Sequence, residues 1–311
     1  MTGEAYALLL LVLAKWITDV GIVWLVGACA LRAITAVIAR RGDRGDAGSA
    51  PDLDRGLVRH AGLALGLLLV ATAARLYAQT YASFGLDEAV TGELLRLVAE
   101  ETRWGGRWMW QGAAVVVAAP MVVLVMGQVR LGWWLLGAAT LIVVGTAPLT
   151  GHAIAYSGGA VVPMALQVGH LLAAGVWLGS LLALVAVALP RLGSGEGDHG
   201  LVVARLVDRF SPVALTAAAL LAGTGVWTAV LYVDEIPQLW ETLYGRALLL
   251  KVGLFGVTAA LGAYNWRRVR PALTSTGGVA RLRRSSRLEL LVALTVLAVT
   301  AWLVHLPMPH E

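Results

Sequence analysis

Apolar residues run along this chain in long unbroken blocks, neither alternating with polar residues nor confined to a single helical stripe. A bilayer core about 30 Å thick takes about 20 residues of helix to cross. Eight blocks reach that length: Tyr6–Ala39, Leu57–Tyr81, Arg107–Gly127, Leu131–Leu149, Val162–Leu189, Phe210–Val233, Tyr244–Trp266 and Leu288–His305. Helices satisfy their own backbone hydrogen bonds in lipid, so the pattern predicts an all-α, polytopic integral membrane protein with eight transmembrane helices. The first block is long enough to tilt or to run beyond the bilayer. Between the second and third blocks, Leu86–Glu101 sets Leu94, Leu95, Leu97 and Val98 among acids. That stretch reads either as a short amphipathic helix on the outer surface or as a solvated loop with one helical turn. Asp43–Pro51 reads as a polar loop. The spans divide into two sets of four, residues 1–150 and 151–311. Trp24-Leu25-Val26-Gly27 in the first span faintly echoes Trp177-Leu178-Gly179 in the fifth, as a four-plus-four duplication would.

Composition agrees with a lipid environment. Hydrophobic residues make up 59% of the 311 and charged residues 14%, with a mean hydropathy of +0.76. A soluble domain carries nearer a quarter charged residues. The first block is too long for the apolar segment of a cleavable signal peptide and is read as a helix. Cys29 is the one cysteine, so no intrachain disulfide forms.

The net charge of +5 does not point to nucleic acid, because the arginines cluster between apolar blocks as topology signals. One set of loops holds Arg40, Arg41, Arg44, Arg55, Arg59, Arg130, Arg191, Arg205 and Arg209, and then Arg267, Arg268, Arg270, Arg281, Arg283, Arg284 and Arg287. The other set holds only Arg96, Arg103, Arg107 and Arg246 beside a run of acids. Positively charged loops stay in the cytoplasm. The expectation is therefore a multi-pass protein of a bacterial cytoplasmic (inner) membrane with both termini extracytoplasmic. Trp104, Trp108 and Trp110 fall at the outer boundary, where an interfacial belt belongs.

This orientation sorts the soft donors. His152 lies in the outer loop between the fourth and fifth spans, His305 ends the eighth, and His310 follows. His170 lies eight residues past Val162, about 12 Å below the outer boundary at about 1.5 Å per residue. Met109, Met164 and Met308 share that side, so four of six histidines and three of five internal methionines are extracytoplasmic. Imidazole with thioether is a ligand set that suits copper, as Cu(I) or Cu(II), and thioether favours Cu(I). The candidate ligands are His170, His152, Met164, His305, Met308 and His310. Each has a plainer reading. Met164 and Met109 fill gaps as methionine ordinarily does, His152 is equally a solvated loop histidine, and the His305–His310 tail can hold its donors idle. An ionisable group inside a span is costly and faces a pathway or a partner, which singles out His170. Gly169, Ala173 and Ala174 beside it admit a close neighbouring helix.

Other charges lie within spans. Lys15 and Asp19 are four apart and share a face, so they can neutralise each other. Lys251 reads as a partner of Asp19 or as a snorkelling stem, Arg32 and Arg75 as snorkelling side chains near span ends, and Cys29 as a small apolar filler.

Three stretches resemble the CopD/PcoD family of copper resistance membrane proteins. They are His170-Leu-Leu-Ala-Ala-Gly-Val-Trp177-Leu-Gly179; Arg209-Phe-Ser-Pro-Val-Ala-Leu215, running on to Gly223-Thr-Gly-Val-Trp227; and Tyr244-Gly-Arg-Ala-Leu-Leu-Leu-Lys251, followed by Gly262-Ala-Tyr-Asn265 and Arg287-Leu-Glu289. In the first half, Lys15-Trp16 and the Gly27 region resemble the family's first helix in outline, with Thr18 and Asp19 where the family often keeps a histidine. The resemblance implies copper movement across the cytoplasmic membrane, usually inward, from a periplasmic CopC-like copper carrier that would here be a separate protein. The expectation is thus a copper permease rather than an enzyme. Outer His and Met residues would capture the ion and His170 would receive it. Two other readings fit the same residues. A haem-binding redox protein would need two facing imidazoles within the membrane. A copper-binding assembly factor or sensor would use the outer donors without moving the ion.

Overall fold

The computed structural model describes residues 2–40, 50–129, 131–155, 158–192, 199–275 and 277–307, except the side chains of 38–40, 50, 51, 152, 155, 199 and 200. Among the described residues the chain is helical and has no strand. The helices are α1 (Gly3–Arg40), α2 (Ala50–Phe84), α3 (Gly92–Glu101), α4 (Arg103–Met126) and α5 (Gly132–Thr146). Continuous rods α6 (Val161–Leu192), α7 (His199–Tyr232), α8 (Leu243–Ala272) and α9 (Gly278–Leu303) follow. All but α3 are long and apolar enough to cross a membrane, eight in number.

Several helices overrun the apolar blocks that announce them. α2 begins at Ala50, α7 at His199 and α9 at Gly278, each about two turns or more before the apolar run. Hydropathy marks the apolar slab, whereas a helix ends where its backbone hydrogen bonds end, and arginines are good helix formers. Of the two readings for Leu86–Glu101, the helix forms: Thr91 caps α3 by accepting from the Leu94 amide, and Val98 is buried. Thr102 and Thr242 cap α4 and α8 in the same way.

α1 stands at the centre, packed on α2, α5, α6, α7 and α9. Two apolar cores meet on it. One joins Leu25 of α1 to Leu68 of α2, Val115 of α4 and Leu136 of α5. The other joins Leu31 to Leu57 of α2, Leu184 of α6, Val203 of α7 and Val269 of α8. α6 is the most enclosed span, with 78% of its apolar window buried, whereas α7 and α8 have 17% and 11%. The helix that carries His170 is therefore an inner one.

The α1–α6 contact is made by small residues. A Cβ built on Gly27 would lie 1.9 Å from the Gly179 carbonyl carbon, and one on Gly179 would lie 1.9 Å from the Val23 carbonyl oxygen. Backbone thus touches backbone, the arrangement that small residues permit between membrane helices. Gly175 likewise sits against the side chain of Val26.

α6 and α8 are not uniform α-helices. Wide π turns occupy Gly175–Gly179 and Leu184–Ala188 in α6 and Asn265–Val269 in α8. Such turns insert one residue into a helix and occur often at functional sites.

Candidate functional site

Polar side chains that membrane helices normally lack gather between α1, α2, α6, α8 and α9. The bundle has two ends: a basic end, which carries arginine-rich connections, and an acidic end, where α1 begins and α9 ends.

Lys15 and Asp19 of α1 sit at the middle of this set. The Lys15 ammonium donates to both carboxylate oxygens of Asp19, at 2.5 and 2.6 Å, and both residues are buried. The pairing expected from their spacing therefore forms. Asp19 also attracts two more distant cations, Arg75 of α2 and Lys251 of α8. Lys251 makes no hydrogen bond or ion pair among the described residues.

His170 of α6 faces α7. The ring Nδ1 lies 3.0 Å from the Thr224 hydroxyl oxygen. The same hydroxyl lies 2.8 and 3.1 Å from the Leu220 and Leu221 carbonyls; with its proton on either of them it accepts from the imidazole. Nδ1 then carries the hydrogen, and the lone pair of the neutral ring is on Nε2. Metal-binding histidines are oriented in this way by a partner on the other ring nitrogen. Gly225 makes room: a Cβ there would lie 3.4 Å from the ring.

Toward the basic end lies a buried carboxylate, Glu289 of α9, 2% exposed. It accepts a 2.8 Å hydrogen bond from the Asn265 amide, while the Ser285 hydroxyl donates to the Asn265 oxygen at 2.5 Å. The Trp177 indole faces the same carboxylate, and Gly262 leaves space for both. Trp177 belongs to the π turn of α6 and Asn265 opens the π turn of α8. Each widened turn thus delivers one side chain to Glu289. Among the described residues, no cation lies within pairing distance of this carboxylate.

At the acidic end a cavity of about 150 Å³ is lined by Leu11, Ala14, Arg75, Ala78, Gln79, Trp104, Thr150, Gly151, Val304 and His305. Arg75 is buried, donates to Gln111 at 2.8 Å and stacks its guanidinium 5.8 Å from the Trp104 ring. The expectation that it snorkels is corrected: it lies well inside α2, and neighbouring side chains hold it. Arg32 pairs with Asp54 and lies over Trp133. His305 donates Nδ1–H to the Ala301 carbonyl at 2.7 Å, since that carbonyl can only accept.

The sequence-derived ligands therefore occupy different places. His170 is in the bundle, His305 lines the cavity, and Met164 is half-buried near the start of α6. The His152 backbone lies in a short 3₁₀ turn, His152–Ala155, which packs against α6. The His152 side chain, Met308 and His310 lie outside the described residues. Among the described residues, no three His, Cys, Asp or Glu side chains converge as a metal cage. Cys29, half-buried, contacts Thr140 at 3.7 Å, in keeping with a small filler.

Thr224, Gln111 and the Glu289–Asn265 pair do not stand out as functional groups by residue type. The last pair does have a signal in the sequence, since Gly262-Ala-Tyr-Asn265 and Arg287-Leu-Glu289 belong to the stretches that carry the family resemblance.

Fold and site define a multi-pass helical membrane protein with several clusters of polar side chains set between its helices. Two family models match it: "Copper resistance protein D-like, N-terminal domain" over residues 4–162 and "Copper resistance protein D" over residues 204–303. The chain belongs to the copper resistance protein D family. Among curated relatives, it is 30% identical over 264 residues to "Copper transport protein CutJ" of Bacillus subtilis (strain 168), a match covering 80% of this chain and 45% of the relative. It is 28% identical over 260 residues to "Copper resistance protein D" of Pseudomonas syringae pv. tomato, covering 77% of this chain and 79% of that one. The chain thus spans less than half the length of the Bacillus relative. No solved structure matches it.

Proposed function

We propose that the chain moves copper across a bacterial cytoplasmic membrane, inward, with the basic end in the cytoplasm and the acidic end outside. The observation that carries this reading is the His170–Thr224 pair: a partly buried imidazole whose Nδ1 lies 3.0 Å from the Thr224 hydroxyl, an arrangement in which Nε2 serves as the ligating nitrogen. Family membership supplies the metal, and the names of both relatives concern copper. Copper is the substrate here, and thioether and imidazole donors suit it as Cu(I).

In this reading His152, Met164, His305, Met308 and His310 take the ion at the outer face, from a CopC-like periplasmic carrier, and pass it to His170. Lys15 and Asp19 cancel one another beside the path, so the bundle carries less charge against an incoming cation. Beyond His170 the ion meets Glu289, a buried carboxyl group with neutral partners, which offers an oxygen donor toward the cytoplasmic side.

The test is total cellular copper, by elemental mass spectrometry, in cells making the wild-type chain, the His170→Ala variant or neither. Copper rises with the wild type and returns to the empty-vector level with His170→Ala, at equal membrane expression. Wild-type accumulation by a well-expressed His170→Ala variant would overturn the reading.

A further inference from the structure

Arg75 is a buried cation with most of its donors unused. Its guanidinium has five N–H donors, and among the described residues one hydrogen bond uses them, to the neutral oxygen of Gln111. No carboxylate among the described residues lies within pairing distance. Asp19 attracts it from further off, but both Asp19 oxygens are held by Lys15. Trp104 offers its ring face, which favours a cation without accepting its N–H groups in the plane. A cation buried this way within a span is costly unless an anion meets it.

The guanidinium opens on the cavity of about 150 Å³ at the acidic end. On the same wall Thr150 has a buried hydroxyl oxygen with no hydrogen-bond partner among the described residues. These two groups are unlike and independent, one on α2 and one in the turn after α5, and each lacks the acceptor it needs. The rest of the wall is mixed: Gln79 is polar, while Leu11, Ala14, Ala78 and Val304 are apolar. A cavity of about 150 Å³ lined by apolar groups holds a molecule the size of benzene.

We propose that this cavity binds a small organic monocarboxylate, its two oxygens on the Arg75 fork and the Thr150 hydroxyl and its short apolar stub against Leu11, Ala14 and Val304. The planar guanidinium matches a carboxylate in a way it does not match a spherical halide. A phosphate dianion would bring more charge than one guanidinium offsets. Occupancy neutralises the charge that Arg75 brings to the cavity wall. The site needs no metal, and His305 of the outer copper donors lies on its wall.

Propionate is the probe, added to the purified full chain in detergent without copper, with thermal unfolding as the readout. Sodium propionate is expected to raise the melting temperature saturably above the effect of sodium chloride or sodium phosphate at equal ionic strength. Thr150→Val removes one hydrogen bond and weakens the propionate response about three- to tenfold, and Arg75→Gln abolishes it. The proposal is overturned if propionate gives no saturable rise in the wild type, if chloride or phosphate matches it, or if Arg75→Gln responds undiminished. Should Arg75→Gln fail to fold, an unchanged propionate affinity in Thr150→Val overturns it.

Discussion

Gly27 of α1 and Gly179 of α6 lie backbone against backbone, so close that a methyl group on either would overlap the other helix. The Ser180 hydroxyl, one residue on, points at the Gly27 carbonyl at 3.5 Å. These two glycines close the short Trp-containing stretches that echo each other in the sequence. Whatever their ancestry, the two stretches meet in the fold and set how near His170's helix comes to the Lys15–Asp19 pair.

Gly27→Val therefore forces α1 and α6 apart. The obstacle is main chain, which cannot rotate away, so the cost exceeds the usual ~1–3 kcal/mol of core overpacking. Gly137→Ala serves as the control, because nothing lies within 4 Å of a Cβ there. Thermal unfolding in detergent should show a marked loss for Gly27→Val and no loss for Gly137→Ala.

The Lys15–Asp19 pair is buried, with side-chain exposures of 9% and 5%. Removing one member of a buried pair costs about 3–5 kcal/mol. Asp19→Asn should be worse than Lys15→Met, because it strands the Lys15 ammonium and also removes the longer-range attraction on Arg75 and Lys251. In a double-mutant cycle read by unfolding, Lys15→Met with Asp19→Asn should lose less than the sum of the single changes. Additive losses would show that the pair is not coupled.

Thr224→Val takes away the hydroxyl that fixes the His170 ring while leaving the imidazole in place. Loss of such an orienting partner typically weakens metal affinity about 10–100-fold. The purified variant should remain folded and bind copper that much more weakly than the wild type, whereas His170→Ala should lose the site. Equal copper affinity in wild type and Thr224→Val would exclude His170 Nε2 as a ligand.

Glu289→Gln keeps the shape and the acceptor for Asn265 but discards a carboxylate that has no paired cation. Stability should therefore hold within about 1 kcal/mol or improve, as replacement of a buried ionisable group often does. Glu289→Leu instead strands the Asn265 amide and should cost about 1–3 kcal/mol. If Glu289 lies on the copper path, Glu289→Gln should lose copper accumulation while its melting temperature is kept.

Orientation can be read with a membrane-impermeant thiol reagent. With Cys29 replaced by Ala, a cysteine at Asp87 should be labelled in intact cells, and one at Ser275 only after the membrane is opened. The reverse pattern would place the basic end outside.

Much of the architecture is legible in the chain because the bilayer imposes a length and a composition on every span. The eight blocks mark the eight long helices, and the spacing of Lys15 and Asp19 gives their contact directly. Helix ends are less legible: the arginines before Phe210 and Leu288 are good helix formers, and hydropathy does not register them. Arg75 is misplaced for a related reason. Its position along α2 suggests a boundary residue, but burial depends on α4 bringing Gln111 and Trp104 alongside, which no single helix encodes. The Glu289 cluster is hidden because its members lie on three helices and are brought together by turns with one residue too many. Thr224 looks like one more small polar residue in an apolar helix until the fold sets it beside His170.

Those widened turns also bear on the length of the chain. A π turn absorbs a surplus residue locally and leaves the helix on either side in phase. A variant lacking one residue within Gly175–Gly179 should therefore keep both halves of α6 on their present faces while displacing Trp177 and the glycine contacts with α1. The surplus residue lets one turn meet two demands at once, a close backbone approach on one side and the Glu289 pocket on the other.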